Sequence, residues 1–186
     1  VGRHAAADAP SCADVCYVVN IGDSRTYHLD VDADGVWDER TLYRVTHDHS
    51  ERQEAIDSGR LLPEEAIATI PRNIITQCIG APDGIAPDFF AVDFTGRFII
   101  CSDGLHAEVG DADIARIAAA HADPQEAADA LTRTALHAGG ADNITVVVVD
   151  SPQPSISSYD GWQAAKIADG EELGDMADAT LNTARA

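Results

Sequence analysis

Basic residues are scarce in this chain. Lys and Arg together number 12 against 32 Asp and Glu, a formal net charge of -20 over 186 residues. So acidic a surface excludes nucleic acid and anionic membranes as non-specific partners. Long apolar runs are also missing. None reaches the roughly 20 residues that span a bilayer, and no stretch reads as a signal peptide. Cysteine is sparse: Cys12, Cys16, Cys78 and Cys101 are the four present. Cys12 and Cys16 stand four apart, but no second Cys or His pair follows at zinc-site spacing. Cys78 and Cys101 lie in apolar runs and are expected to be buried thiols. The cysteine usage favours a reduced, cytoplasmic protein. What is plentiful is apolar content, 45% of the residues, enough for one domain with a real core plus a tail. The chain opens on Val1 and not on Met, so a preceding section is expected.

The stretch Phe98-Ile99-Ile100-Cys101-Ser102-Asp103-Gly104 organises the rest. A short β-branched run reads as a buried strand, and Asp103 stands at its end with Gly104 permitting a sharp turn. A second pattern mirrors it: Gly140-Ala141-Asp142-Asn143 feeds Ile144-Thr145-Val146-Val147-Val148-Val149. If these two strands pair antiparallel, Asp103 and Asp142 meet at one edge of a sheet. A third Asp-Gly pairing, Gly22-Asp23, separates the strand Val15–Ile21 from the strand Thr26–Leu29.

In chain order, residues 1–13 have no pattern and read as a loop or ragged end. Asp30-Val31-Asp32-Ala33-Asp34-Gly35 resembles the opening of a calcium loop. Its twelfth position is Thr41, where a bidentate Glu is needed, so a hairpin tip is the better reading. Thr41–Val45 reads as a strand. His47 and His49 flank Asp48, but the segment reads as a loop turning into a helix and not as a metal site. Ser50 is an N-cap with Gln53 at the capping-box position, opening a helix over Glu51–Ser58 that Gly59 closes. Pro63 and the acids after it open a second helix. Ile74–Gly80 reads as a strand, as does Phe89–Phe94. Leu105–Gly110 reads as a loop. Helices are expected over Asp111–Ala120 and Pro124–Ala138 from their three- and four-residue apolar steps, with Asp111 and Asp123 as caps. From Ser151 to Ala186 the composition becomes that of an acidic, flexible tail.

Carboxylates gathered on one sheet edge repel unless a cation neutralises them. Hard oxygen ligands suit Mg²⁺ or Mn²⁺, and phosphate is the substrate whose developing charge such ions offset. Any one Asp-Gly taken alone is more simply a turn.

Five segments taken together say more. Asn20-Ile21-Gly22-Asp23-Ser24-Arg25-Thr26-Tyr27, Thr46-His47-Asp48-His49-Ser50, Arg72-Asn73-Ile74-Ile75-Thr76-Gln77-Cys78-Ile79-Gly80, Cys101-Ser102-Asp103-Gly104-Leu105 and Gly140-Ala141-Asp142-Asn143-Ile144-Thr145-Val146 occur in this order. In this they resemble the protein phosphatase 2C family, bacterial members above all. The resemblance implies an α+β fold, an α-β-β-α sandwich of two antiparallel sheets flanked by helices. The resemblance covers residues 15–150, and the implied division is a catalytic-domain portion over 1–150 with 151–186 as the tail. It implies that Asp103 and Asp142 bind one ion of a dinuclear Mn²⁺ or Mg²⁺ centre, and that Asp23 with Asp103 holds a third, weaker ion. Asn73 corresponds to a polar position near that ion, and residues 51–70 to a flap tied to substrate choice. The implied activity is hydrolysis of phosphoserine and phosphothreonine in proteins by a metal-activated water, on targets of a bacterial-type Ser/Thr kinase.

The family's opening section, with its metal-bridging Asp-Gly, phosphate-binding Arg and a His near the leaving group, has no counterpart here. Gly2-Arg3-His4 is not that motif. The expectation is the C-terminal portion of a catalytic domain, inactive by itself, with its directly catalytic residues elsewhere. The alternatives are a pseudophosphatase or regulatory module of the same fold, a phosphatase acting on an anti-sigma-factor antagonist, and a calcium- or partner-binding domain resting on Asp30–Asp38.

Overall fold

A computed structural model of the chain describes residues 15–82, 84–151 and 162–167. In chain order these form β1 (Val15–Asn20), β2 (Arg25–Leu29), β3 (Tyr43–Arg44), α1 (Glu51–Asp57), α2 (Pro63–Thr69), β4 (Asp88–Asp93), β5 (Gly96–Cys101), the single turn α3 (Asp103–His106), α4 (Asp111–Ala120), α5 (Pro124–Ala138), β6 (Val146–Ser151) and β7 (Ala164–Lys166). The strands make two antiparallel sheets, one ordered β1-β4-β7 and the other β3-β2-β5-β6.

Period-two alternation divides β5 between two cores. Ile99 and Cys101 face α4 and α5, joining Tyr27, Leu29, Leu105, Ile114, Ile117 and Leu131. Phe98 points the other way, into the space between the sheets, with Phe90, Val92, Val18 and Val149. Helices thus cover the four-stranded sheet. On the three-stranded sheet Val15, Tyr17 and Val19 alternate with the inward residues of β1 and are exposed at 49, 41 and 54%. Among the described residues no helix packs across that face.

Several expectations need correction. Ile74–Gly80 is not a strand. Among the described residues its ladder partner is the segment just before α1, which turns helical after Ser50, so the pairing stops at the single bridge Ser50↔Ile75. Cys78 is consequently exposed, whereas Cys101 is buried as expected. Thr41–Val45 shortens to β3, because Asp38 caps a 3-10 turn over Glu39–Thr41 by accepting from Arg40 N. Asp123 caps α5 as expected, accepting from the amides of Gln125 and Glu126. Asp111 is the first residue of α4, after Gly110, and its carboxylate accepts the Tyr27 hydroxyl at 2.9 Å. Beyond Ser151, where a tail was expected, β7 pairs with β4 from Phe90↔Lys166 to Val92↔Ala164. Residues 1–14, 152–161 and 168–186 lie outside the described residues.

Two buried polar groups fix the sandwich. The Arg97 side chain has no exposure and donates Nε and Nη2 to the two carboxylate oxygens of Asp150 at 2.6 and 2.7 Å. Its remaining donors reach the carbonyls of Ala118, His121 and Ala122, closing the C-terminal end of α4, and Trp37 stacks on the guanidinium at 4.5 Å. His28 Nε2 donates to the Thr95 carbonyl at 2.7 Å, and its ring stacks on Trp162 at 3.9 Å. Gly96, at φ +84°, must lack a Cβ because one would strike the His28 ring.

Removing one partner of a buried, bonded pair leaves the other charge stranded, typically at a cost of about 3–5 kcal/mol. Asp150 is partly exposed, so the lower end applies: Arg97→Ala should lower unfolding free energy in urea by about 3 kcal/mol. An unchanged midpoint would remove Arg97 from this role.

Burial lowers the His28 imidazole from 6.5 to about 4. The folded state therefore prefers the neutral ring. That contribution is complete above about 6.5 and is lost as pH falls toward about 4, at a limiting slope of about 1.4 kcal/mol per pH unit. His28→Gln keeps a donor for Thr95 and should flatten the urea midpoint against pH in that window. Parallel profiles for the two proteins would contradict the assignment.

Candidate metal centre

Strand register brings the three aspartates to one edge. Cys101 pairs with Arg25 on one side and with Val146 on the other. Asp103 follows Cys101 by two residues, Asp23 precedes Arg25 by two, and Asp142 precedes Val146 by four. All three therefore leave the four-stranded sheet at the same end.

Local bonds tighten this placement. Ser102 N donates to the Thr145 carbonyl at 3.1 Å, its hydroxyl donates to the Asn143 carbonyl at 3.1 Å, and the same oxygen accepts Thr145 N at 3.0 Å. Gly104 lies so close to the Asn143 carbonyl that a Cβ would collide with it. The turns carrying Asp103 and Asp142 are thus clamped together. The Asp142 carboxylate itself is exposed and accepts its own neighbour's amide, Asn143 N, at 2.7 Å.

The Asp23 turn is held from both sides. Gly22, at φ +98°, donates its amide to His49 Nδ1 at 3.2 Å, and its carbonyl accepts His49 N and Asn20 Nδ2. The Asp23 carbonyl accepts from His106 Nε2 at 2.9 Å. Burial, and then the nearby Asp103 carboxylate, raise the Asp23 carboxyl above its ordinary 3.8. Asp23 and Asp103 are thus close enough to repel. Among the described residues none of the three aspartates sits in an ion pair. Nor, among those residues, is any group of three or more His, Cys, Asp or Glu arranged to hold a metal ion.

Beside the aspartates lies a network not evident in the sequence. Arg25 grips Asp48 through Nε and Nη2 at 2.8 and 2.6 Å and donates to the Tyr27 hydroxyl at 3.1 Å. Burial pushes the Asp48 carboxyl up, but the hydrogen bonds and charge of Arg25 outweigh it and hold it low. His106 is lowered by burial and then by Arg25. Burial pushes the Cys101 thiol up to about 12, so it is no nucleophile at neutral pH. No spacing pairs Arg25 with Asp48, or His106 with Asp23; only strand placement does. Residues 46–49 are not a strand, so strand alternation does not decide their directions: His49 stands 3.4 Å from Asp88, while His47 stands 3.9 Å from Asp57, and the two rings serve different carboxylates.

Asn73 lies exposed in the turn after α2. The acidic hairpin tip uses its own carboxylates. Asp30 accepts Val31 N, Asp32 accepts Asp34 N and Val36 N, and Asp38 binds Arg40. These groups build a turn, as the hairpin reading expects.

Replacing Asp103 by Asn should lower the Asp23 carboxyl toward 3.8, because the larger of its two upward charge effects disappears while burial and Asp48 remain. A carbon-13 carboxyl titration without divalent metal measures this; an unmoved Asp23 would separate the two groups.

No family model matches the chain. Individual proteins do. It is 38% identical over 132 residues to "Protein phosphatase PhpP" of Streptococcus pneumoniae serotype 2 (strain D39 / NCTC 7466), covering 70% of this chain and 50% of that one. The crystal structure of the PPM Ser-Thr phosphatase MsPP from Mycobacterium smegmatis in complex with cacodylate superposes with a TM-score of 0.60 at 38% identity, over 73% of this chain and 56% of that one. The catalytic domain of serine threonine protein phosphatase PstP in complex with 2 manganese ions gives a TM-score of 0.56 at 28% identity, over 83% and 54%. The chain spans about half the length of the curated relatives it matches. Among the described residues no helix is long and apolar enough to cross a membrane. With two antiparallel sheets, helices on the four-stranded one, and sequence likeness to Ser/Thr phosphatases across most of its described length, the chain belongs to the protein phosphatase 2C (PPM) family of bacterial type.

Proposed function

We propose that this chain forms the C-terminal portion of a metal-dependent protein Ser/Thr phosphatase that hydrolyses phosphoserine and phosphothreonine. One observation carries the reading. Three carboxylates leave one sheet edge without an ion pair among the described residues, and Asp23 is raised by burial and then by Asp103. Such a donor set fits a hard divalent cation in kind, Mn²⁺ or Mg²⁺. It does not fill a coordination shell, so ligands from outside this chain complete the site.

Asp103 and Asp142 hold one ion, and Asp23 shares a further ion with Asp103. When bound, such ions lower the pKa of water and offset charge on a transferring phosphoryl group. Ser102 and Gly104 set the separation of the two ligand turns. Arg25 and Asp48 neutralise each other beside them, so Asp48 does not compete for the cation and Arg25 does not compete with it for the aspartates. The helices α1 and α2, within residues 51–70, flank the site as a substrate-selecting flap. The substrates are phosphoproteins, targets of a bacterial-type Ser/Thr kinase, in the cytoplasm. The names of the relatives support this reading. The incomplete donor set favours one rival, a binding module of the same fold without turnover.

Turnover of p-nitrophenyl phosphate and a phosphothreonine peptide with Mn²⁺ tests both. Residues 1–186 alone should show background only. A protein extended upstream to the length of the relatives should be active. In it Asp103→Asn or Asp142→Asn should cost more than about a hundredfold, since groups that merely orient ligands already cost roughly 10–100-fold. Strong activity from 186 residues would overturn the incomplete-site proposal. Full activity with both aspartates changed would overturn the assignment, and an inactive extended protein would favour the binding module.

A further inference from the structure

We propose that His106 is a positioning residue that aims the Asp23 carboxylate at the cation shared with Asp103. The inference rests on the ligand roles given above for those two aspartates.

Asp103 and His106 are the first and last residues of one helical turn, α3. Residues three apart lie on one side of a helix. The turn therefore presents a carboxylate at its start and an imidazole at its end to the same neighbourhood. His106 Nε2 lies 2.9 Å from the Asp23 carbonyl oxygen. A carbonyl only accepts, so Nε2 carries the proton and the tautomer is fixed.

The other tethers of this turn stop one residue short. Gly22 is bound through its amide and carbonyl to Asn20 and His49, on the strand and loop side. Among the described residues Asp23 has no ion pair, and its carboxylate accepts a hydrogen bond from its own backbone N–H, so its direction follows from its backbone. The hydrogen bond to His106 fixes the orientation of the peptide that leaves Asp23. It also does so from the element that carries Asp103. Any movement of α3 therefore carries both carboxylates together, and their separation is held by one turn of helix and one hydrogen bond.

Gln at position 106 can donate to the same carbonyl; Ala and Leu cannot. Leu fills the space of the ring and serves if the Ala variant fails to fold. The probe is Mn²⁺ alone, titrated into the 186-residue protein while the paramagnetic broadening of each backbone amide is followed by NMR. In the unchanged protein, Asp23 and Asp103 should broaden together at low Mn²⁺. In His106→Ala or His106→Leu the midpoint at Asp23 should rise about tenfold or more, the size of effect found for groups that orient ligands. Asp103 and Asp142 should stay within about twofold, and His106→Gln should restore Asp23. A purely structural role would move all three midpoints together, and that result, or an unmoved Asp23, overturns the proposal. If the unchanged protein shows no selective broadening at the aspartates, the ligand assignment itself fails and takes this inference with it.

Discussion

The antiparallel pairing of β5 with β2 on one side and β6 on the other is the constraint from which the site follows. Cys101 is the last ladder residue of β5, and both of its partners are terminal residues of their strands. Three loops distant in sequence therefore depart from one row. Nothing about an isolated Asp-Gly requires this. The placement is a property of the register, and register is strict wherever one face is buried, because a slip of one residue turns every side chain over. Ile99 and Cys101 against the helices, with Phe98 on the opposite side, supply that strictness.

Elements with strong local signals were legible. The boundaries of α4 and α5 follow from apolar spacing and from Asp123, whose carboxylate takes two amides at the helix start. The Ser50 cap and the Gly59 stop bound α1 as read. The sandwich of two antiparallel sheets, inferred from the order of five segments, is present. Less legible were features decided by a neighbour. Ile74–Gly80 has the composition of a strand but lies beside a chain that turns helical, so among the described residues it forms one bridge, Ser50↔Ile75, and no ladder. Residues 164–166 have no strand pattern, yet complete a sheet because β4 offers an edge and Trp162, bonded to the Asp93 carbonyl and stacked on His28, anchors the approach.

The site shows the same division. Asp23 and Asp103 were identifiable as strand-end carboxylates, and their mutual influence agrees with that. The groups that hold them were not. Arg25 and Asp48 are 23 residues apart, and His106 and the Asp23 carbonyl are 83 apart. Side-chain bonds across such distances leave no periodic trace. A sequence marks where charge collects at turns; it does not mark which neutral or paired groups keep that charge in place.

The two ends of β5 are electrostatic opposites, and this explains how a crowded carboxylate edge is tolerated. At the start of β5, Arg97 is fully buried, its ladder partner Asp150 receives both parallel bonds, and the C-terminal carbonyls of α4 take the rest. Every charge there is answered. At the far end, Asp103 and Asp23 have no ion pair among the described residues, and Asp103 raises Asp23 by charge after burial does. The register that places Arg97 opposite Asp150 is the same register that places Asp103 near the Asp142 turn, since both turns lie just beyond the Cys101↔Val146 end of the β5–β6 ladder. Sliding the ladder to relieve the carboxylates would strand a buried guanidinium, and an uncompensated buried charge is far more costly than repulsion at a partly solvated edge. The well-paired end thus holds the unpaired end in a geometry it would not adopt alone. That is the condition on which the proposed cation site rests.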